Sequence, residues 1–137
     1  MFENPSDEER RELLRRVKTI AVVGLSPNPA RPSHGVAQAM QRFGYSIIPI
    51  HPTATEVLGA KAYRRLSEVP VPIDLVDVFR RAEFIGPIVD DCLALGLKAI
   101  WIQEGIVNDV AAERARDNGM TVVMDRCIFR DHRQFCS

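Results

Sequence analysis

The residues best suited to chemistry in this sequence are Gly24, Ser26, Arg31 and Ser33, which follow an apolar run at 20–23. Small residues and prolines separate them, and helical spacing resumes after Ser33. An apolar strand that turns at a glycine into the start of a helix presents backbone N–H groups to an anion. Hydroxyl and guanidinium groups add further donors for phosphate oxygens. The stretch therefore predicts an anion-binding site.

Polar side chains also stand at the ends of four other apolar runs. His51 and Pro52 follow the second run, Phe79, Arg80 and Arg81 the third, Gln103, Glu104 and Gly105 the fourth, and Asp125, Arg126 and Cys127 the fifth. The carboxyl ends of parallel strands meet at one edge of a sheet, so we expect the groups that follow the first four runs, from Gly24 to Gly105, to converge on one rim. Their guanidinium, amide, hydroxyl and backbone N–H groups suit an anionic ligand.

The elements that position these residues alternate between short apolar runs and helical stretches. Strands are predicted at 19–23, 45–50, 73–79, 98–102 and 120–124, and helices at 6–18, 33–43, 83–95, 108–118 and 127–135. Strands without polar alternation, joined by long crossovers, are typical of a doubly wound parallel α/β sheet. We expect strand order 3-2-1-4-5, helices on both faces and a ligand at the switch point between strands 1 and 4.

Composition limits the classes of function. A chain of 137 residues predicts one domain spanning 1–137. Its formal net charge of zero argues against a general nucleic-acid or membrane-surface binder, and no apolar run is long enough to span a membrane. The three cysteines lack CxxC spacing and no histidines are paired at ligand spacing, so no metal site is predicted. We therefore expect a cytoplasmic protein.

Nucleotide-binding fingerprints narrow the ligand further. The dinucleotide pattern G-x-G-x-x-G is absent, because Gly24 is followed by Ser26 and Pro29, and no P-loop pattern occurs. An NAD site needs an acidic residue at the end of the second strand, where this chain has His51 and Pro52. The sequence therefore favours an anionic nucleotide other than NAD.

Several motifs between residues 13 and 132 carry a resemblance to a known family. They are Val23-Gly24-Leu25-Ser26, Arg31-Pro32-Ser33, His51-Pro52, Val57-Leu58-Gly59, the run from Ile73 to Arg80, the run from Trp101 to Ile106, and Asp125-Arg126-Cys127. Together they resemble the small stand-alone CoA-binding proteins of the YccU type. Those proteins are similar to the CoA-binding domain of the succinyl-CoA synthetase alpha subunit and share its Rossmann-like fold.

The resemblance implies coenzyme A (CoA) or acyl-CoA as the small-molecule ligand, with no established reaction. It implies that Gly24, Ser26, Arg31 and Ser33 cradle the phosphates, that His51 and Pro52 flank the adenosine, that Phe79 and Arg80 line the adenine or phosphate side, and that Gln103 and Gly105 face the pantetheine end. The oligomeric state and any protein partner stay open.

Two other functions stay open from the sequence. The chain could be an acyl-CoA-processing enzyme or subunit, although no Ser-His-Asp or Cys-His constellation is recognisable. It could also be an NAD-responsive regulatory module. Cys127, after the fifth strand, is either an inert thiol or one that forms a mixed disulfide with the CoA thiol.

Overall fold

Five parallel strands form the centre of the computed structural model, which describes residues 1–136. The strands are β1 Thr19–Val23, β2 Ser46–Ile50, β5 Leu75–Val78, β6 Ala99–Ile102 and β7 Thr121–Met124, and a separate short hairpin consists of β3 Glu56–Val57 and β4 Ala60–Lys61. The α-helices are α1 Asp7–Arg16, α2 Pro32–Arg42, α3 Ile85–Ala94, α4 Asp109–Asp117 and α5 Ile128–Cys136. The predicted class, a parallel α/β sheet flanked by helices, is confirmed.

The strand order is β2-β1-β5-β6-β7, so the predicted order 3-2-1-4-5 is wrong. The third strand of the prediction, β5, pairs with β1 and not with β2. Pro49 explains why β2 is an edge strand, because a proline lacks the N–H that a central strand donates. Its carbonyl accepts from the Tyr63 N–H on the outer side, at 2.9 Å, while the Ile50 carbonyl accepts from Gly24. The switch point therefore lies between β1 and β5, not between the first and fourth strands.

Both faces of the sheet are buried, which accounts for the absence of polar alternation in the strands. Ala21, Val23 and their neighbours on β5 and β6 pack with Ile85 and Val89 of α3 and with α4. On the other face, Ile20, Val22 and Trp101 pack with α1, α2 and α5.

Local signals for two helix starts are confirmed. Ser6 and Glu9 form a reciprocal capping box on α1, with the Glu9 N–H donating to Ser6 Oγ at 3.2 Å. Asn108 caps α4 by accepting from the Ala111 N–H at 3.1 Å. The predicted helix at 83–95 begins later, because a 3-10 turn at Ala82–Phe84 precedes α3.

Each outer edge of the sheet is met by another part of the chain. Tyr63 bridges to Ile50 beside β2. Beside β7, the Asn4 side-chain amide donates to the Met124 carbonyl and accepts from the Met124 N–H, both at 2.8 Å. None of the helices formed by residues 1–136 has the length and apolar character needed to cross a membrane.

Candidate ligand-binding site

Cavities at the carboxyl ends of β1, β2 and β5 contain most of the predicted site residues. The loop cavity, about 350 Å³, is lined by Gly24, Ser26, Arg31, Pro32, Ser33 and Phe79. The arginine cavity, about 250 Å³, lies on the β2 side and is lined in part by His51, Pro52, Arg64, Arg65, Arg80 and Phe84. Gly24 lines both cavities and therefore stands between them.

Two further cavities extend this row. The α5 cavity, about 330 Å³, shares Pro32 and Phe79 with the loop cavity and is also lined by Val36, Gln103, Glu104, Ile106, Cys127 and Arg130. The hairpin cavity, about 560 Å³, shares Pro52 and Arg64 with the arginine cavity. The four cavities thus adjoin one another from the β3–β4 hairpin to the start of α5.

Gly24 allows the ends of β1 and β5 to approach closely. Its φ of +84° is disfavoured for other residues, and a Cβ placed there would lie 2.7 Å from the Phe79 carbonyl oxygen. Its N–H donates to the Ile50 carbonyl at 3.1 Å. The end of β5 therefore occupies the space that a side chain at residue 24 would need, and Gly24 itself lines both cavities.

The loop from 25 to 31 is held by its own hydrogen bonds. The Ser26 N–H donates to Ser33 Oγ at 3.0 Å, the Asn28 N–H to Ser26 Oγ at 3.1 Å, and the Ala30 N–H to Asn28 Oδ1 at 3.0 Å. Fewer backbone N–H groups are therefore free than the strand-turn-helix pattern predicts. Because both serine oxygens act as acceptors here, their hydroxyl hydrogens can still donate to a ligand.

The start of α2 adds positive character to the loop cavity. Arg31 is the N-cap residue, makes no side-chain capping bond and is followed by Pro32 at the first helical position. The N-terminus of a helix carries a partial positive charge. The Arg31 side chain is exposed and takes part in none of the ion pairs formed by residues 1–136.

The end of β5 supplies Phe79 and Arg80. Phe79 lines the loop and α5 cavities, whereas Arg80 lines the arginine cavity. The Arg80 guanidinium carbon lies 4.2 Å from the centroid of the Phe84 ring, in a cation–π arrangement. Its Cδ would be 3.0 Å from a Cβ at Gly24. The aromatic ring thus holds this guanidinium at the wall of the cavity, and the lack of a side chain at Gly24 leaves room for its aliphatic part.

His51 both caps a turn and lines the arginine cavity. Its Nδ1 accepts from the Thr53 N–H at 3.1 Å and from the Ala54 N–H at 2.9 Å. In the neutral ring the hydrogen then resides on Nε2, which is left as a donor. Pro52 lines the arginine and hairpin cavities.

Gln103 and Gly105, the two residues expected at the pantetheine end, are placed differently. Gln103 is buried, lines the α5 cavity and accepts from the Ile128 N–H at the start of α5 through Oε1, at 3.2 Å. Gly105 lines none of the four cavities, and its N–H donates to Asp125 Oδ1 at 2.7 Å. The structure therefore brings nine of the ten predicted residues to the row of cavities and leaves Gly105 apart.

Sequence reasoning missed Arg64 and Arg65, which line the arginine cavity. They lie in an irregular connection with no helical or strand periodicity. Tyr63 carries them back to the sheet by donating to the Pro49 carbonyl, while its own carbonyl accepts from the His51 N–H, both at 2.9 Å. In the sequence, the one local sign of a binding role was that two arginines are adjacent. Their place beside the cavity depends on the non-local bonds of Tyr63.

Asp77 is a buried carboxyl group beneath the site. It lies on β5 between Val22 and Trp101 of the neighbouring strands, on the same face as Phe79, and is 1% exposed. Its Oδ1 has no hydrogen-bond partner among residues 1–136. Burial raises the pKa of Asp77 well above its ordinary value, which favours the uncharged form.

Within the part of the chain that the structure describes, no group of three or more His, Cys, Asp or Glu side chains is placed to hold a metal ion. Cys127 lines the α5 cavity, whereas Cys92 lies in the core, where burial raises its pKa to about 12.

Known proteins resemble this chain both in sequence and in fold. A family model described as the CoA binding domain matches residues 18–133. Protein YneT of Bacillus subtilis is 48% identical over 127 residues, which are 93% of this chain and 94% of YneT. A protein structure from Pyrococcus horikoshii OT3 superposes with a TM-score of 0.92 at 33% identity and covers 100% of both chains.

A larger relative shows the same region as part of a longer protein. The alpha subunit of the ADP-forming acetate–CoA ligase II of Pyrococcus furiosus is 24% identical over 120 residues. These residues are 80% of this chain and only 26% of that subunit. The family match covers most of the chain, and the chain therefore belongs to the CoA binding domain family.

Proposed function

We propose that the protein binds CoA or acyl-CoA along the row of cavities at the carboxyl ends of the strands and catalyses no reaction itself. In this proposal the pyrophosphate lies in the loop cavity, the adenosine in the arginine cavity and the pantetheine arm in the α5 cavity. The hydroxyls of Ser26 and Ser33 and the Arg31 guanidinium donate to the pyrophosphate.

The distribution of charge along the row is the observation that supports this orientation. Three arginines line the arginine cavity, together with the single carboxylate of Asp91. Among residues 1–136, the only two charged residues that line the α5 cavity are Glu104 and Arg130, and they form an ion pair at 2.7 Å. CoA has the same asymmetry, because its phosphates are all near the nucleotide end and its thiol arm is uncharged.

The surroundings of Gly24 support the placement of the pyrophosphate. A ligand phosphate beside this glycine would meet backbone, the uncapped start of α2 and the exposed Arg31 side chain. His51 and Pro52, which line the neighbouring cavity, would flank the adenosine. Gly105 is left out of this proposed site, since it lines none of the cavities.

The absence of catalysis is part of the proposal and rests on the surroundings of Cys127. Among residues 1–136, Glu104 is the one carboxylate that lines the α5 cavity, and Arg130 neutralises it. Within the described part of the chain, no histidine lines that cavity to activate the thiol.

Replacement of Arg31 by alanine tests the proposed site. We expect R31A to bind CoA at least about tenfold more weakly than the wild type, corresponding to roughly 1.4 kcal/mol, because a charge-assisted contact to the pyrophosphate is lost. Calorimetric titration of the purified protein with CoA, acetyl-CoA and NAD provides the measurement.

Arg42, an exposed arginine in the last turn of the same helix, gives the matched control. R42A should bind CoA as the wild type does, because it lies at the other end of α2. Tight binding of NAD without binding of CoA would contradict the proposal, and hydrolysis of acetyl-CoA by the purified chain would contradict its non-catalytic part. An unchanged affinity in R31A would remove Arg31 from the site.

A further inference from the structure

The arginine cavity is positively charged, although the proposed pyrophosphate lies in the neighbouring loop cavity. Arg64, Arg65 and Arg80 line it, and within residues 1–136 none of the three takes part in an ion pair with a carboxylate. Of the described residues, Asp91 is the one carboxylate in its lining, which leaves a surplus of two positive charges. Unpaired guanidinium groups gathered at one cavity indicate an anionic ligand group there.

The backbone fixes the positions of Arg64 and Arg65. Tyr63, immediately before them, is bonded to Pro49 and His51 at the end of β2, and Leu66, immediately after them, is buried in the core. The carboxylate of Glu68 accepts from the Arg64 backbone N–H at 3.2 Å. The two exposed side chains therefore start from an anchored segment directly beyond the carboxyl end of β2.

The proposed orientation of CoA leaves one phosphate to be assigned. With the pyrophosphate at Gly24 and Arg31, the adenosine extends toward the β2 side, and the 3′-phosphate on its ribose extends with it. This group is a compact dianion, and planar guanidinium forks can bind it bidentately. Arg80, held over Phe84 beside Gly24, stands between the two phosphate positions.

We propose that Arg64 and Arg65 bind the 3′-phosphate of CoA and thereby make the protein select CoA over dephospho-CoA. This inference rests on the proposed function and adds a specificity-determining pair to it. Dephospho-CoA retains the pyrophosphate, adenosine and pantetheine arm and lacks only this phosphate, so it isolates the contribution of the two arginines.

The experiment compares CoA with dephospho-CoA for the wild type, R64A/R65A and a matched control, R15A/R16A. Arg15 and Arg16 are also adjacent and exposed. They end α1 just before β1 begins, at the amino-terminal ends of the strands and so away from the cavities. Calorimetry gives both dissociation constants for each protein, and a thermal melt checks that each variant is folded. We expect the wild type to bind CoA at least about tenfold more tightly than dephospho-CoA.

In R64A/R65A we expect CoA affinity to fall at least about tenfold and dephospho-CoA affinity to stay within about threefold of the wild type, so that the preference disappears. R15A/R16A should keep the wild-type preference. An equal loss for both ligands, or a preference that survives in R64A/R65A, would overturn the assignment of the 3′-phosphate while leaving CoA binding intact. Failure of the wild type to bind either ligand would overturn the proposed function as well.

Discussion

Gly24 is the single residue on which the geometry of the site depends most. An alanine there would adopt a φ of +84° and bring its Cβ to 2.7 Å from the Phe79 carbonyl oxygen. We expect G24A to lower the free energy of unfolding by at least about 1–2 kcal/mol from the left-handed backbone alone. CoA affinity should fall as well, because β5 must move to relieve the clash. Urea denaturation followed by the fluorescence of Trp101, the one tryptophan, measures the stability.

Gly35 provides the control for this substitution. It lies within α2, has ordinary helical φ and has no heavy atom within 4 Å of a Cβ added to it. G35A should therefore stabilise the protein by about 0.5–1 kcal/mol, as alanine does in a helix interior. Similar losses in both variants would contradict the special role of Gly24.

Asp77 should make stability depend on pH. Its native-state pKa is raised by burial, so between the ordinary carboxyl pKa of about 4 and the raised value the folded chain holds a proton that the unfolded chain has lost. Its contribution therefore decreases as pH rises through that window. Replacement by asparagine removes this titration, and we expect the stability of D77N relative to the wild type to increase with pH by up to about 1.4 kcal/mol per unit.

Denaturation at pH values from 4 to 8 tests this expectation for Asp77. The comparison at the lowest pH serves as the internal reference, because Asp77 is then protonated in the folded chain and in about half of the unfolded chains, so its titration contributes least. A stability difference between D77N and wild type that does not change with pH would show that the group titrates normally in the folded protein.

A buried ion pair joins helix α5 to helix α1, and a third residue, in the loop before α5, also takes part in it. Asp131 is 1% exposed and accepts from Arg10 Nε at 2.9 Å, while Arg126 donates to both of its carboxylate oxygens. The hydrogen bond to Asp131 raises the pKa of Arg126. This pairing fixes the position of α5, whose first turn borders the α5 cavity.

D131N should therefore destabilise the protein by about 3 kcal/mol, because it leaves the buried charge of Arg10 without its main partner. Breaking a buried ion pair costs about 3–5 kcal/mol. We expect the lower end of this range, because Arg10 keeps its contact with Asp7. Thermal unfolding gives the measurement. D117N, which breaks the exposed Arg116–Asp117 pair, should change stability by no more than about 0.5 kcal/mol, and an equal effect of the two substitutions would contradict this account.

Sequence patterns predicted the elements well where the signal is local. The Ser6–Glu9 capping box, the Asn108 cap and the buried apolar strands all depend on neighbouring residues and agree with the structure. The order of the strands was wrong because it depends on which edges pair across the sheet. Pro49 contained the missing information, since a strand with an internal proline is suited to an edge.

At the scale of the whole molecule, local and global charge differ. The formal net charge of zero argued against a general polyanion binder, but it averages over a surface that concentrates arginines at one cavity. Nine of the ten candidate residues, chosen from their positions after apolar runs, line the row of cavities, because parallel strands bring these ends together. Arg64 and Arg65 could not be found in this way, since they follow no apolar run and reach the rim through the non-local bonds of Tyr63 to β2.

The closed borders of the sheet restrict how the protein can associate with itself. A strand from another chain would need unpaired backbone groups beside β2 or β7, yet Tyr63 occupies the first position and the Asn4 amide imitates a strand at the second. Each contact occupies one outward-facing residue, Pro49 on β2 and Met124 on β7, in strands of only four or five residues. Sheet extension, and the aggregation that follows from it, would first require the displacement of one of these two segments.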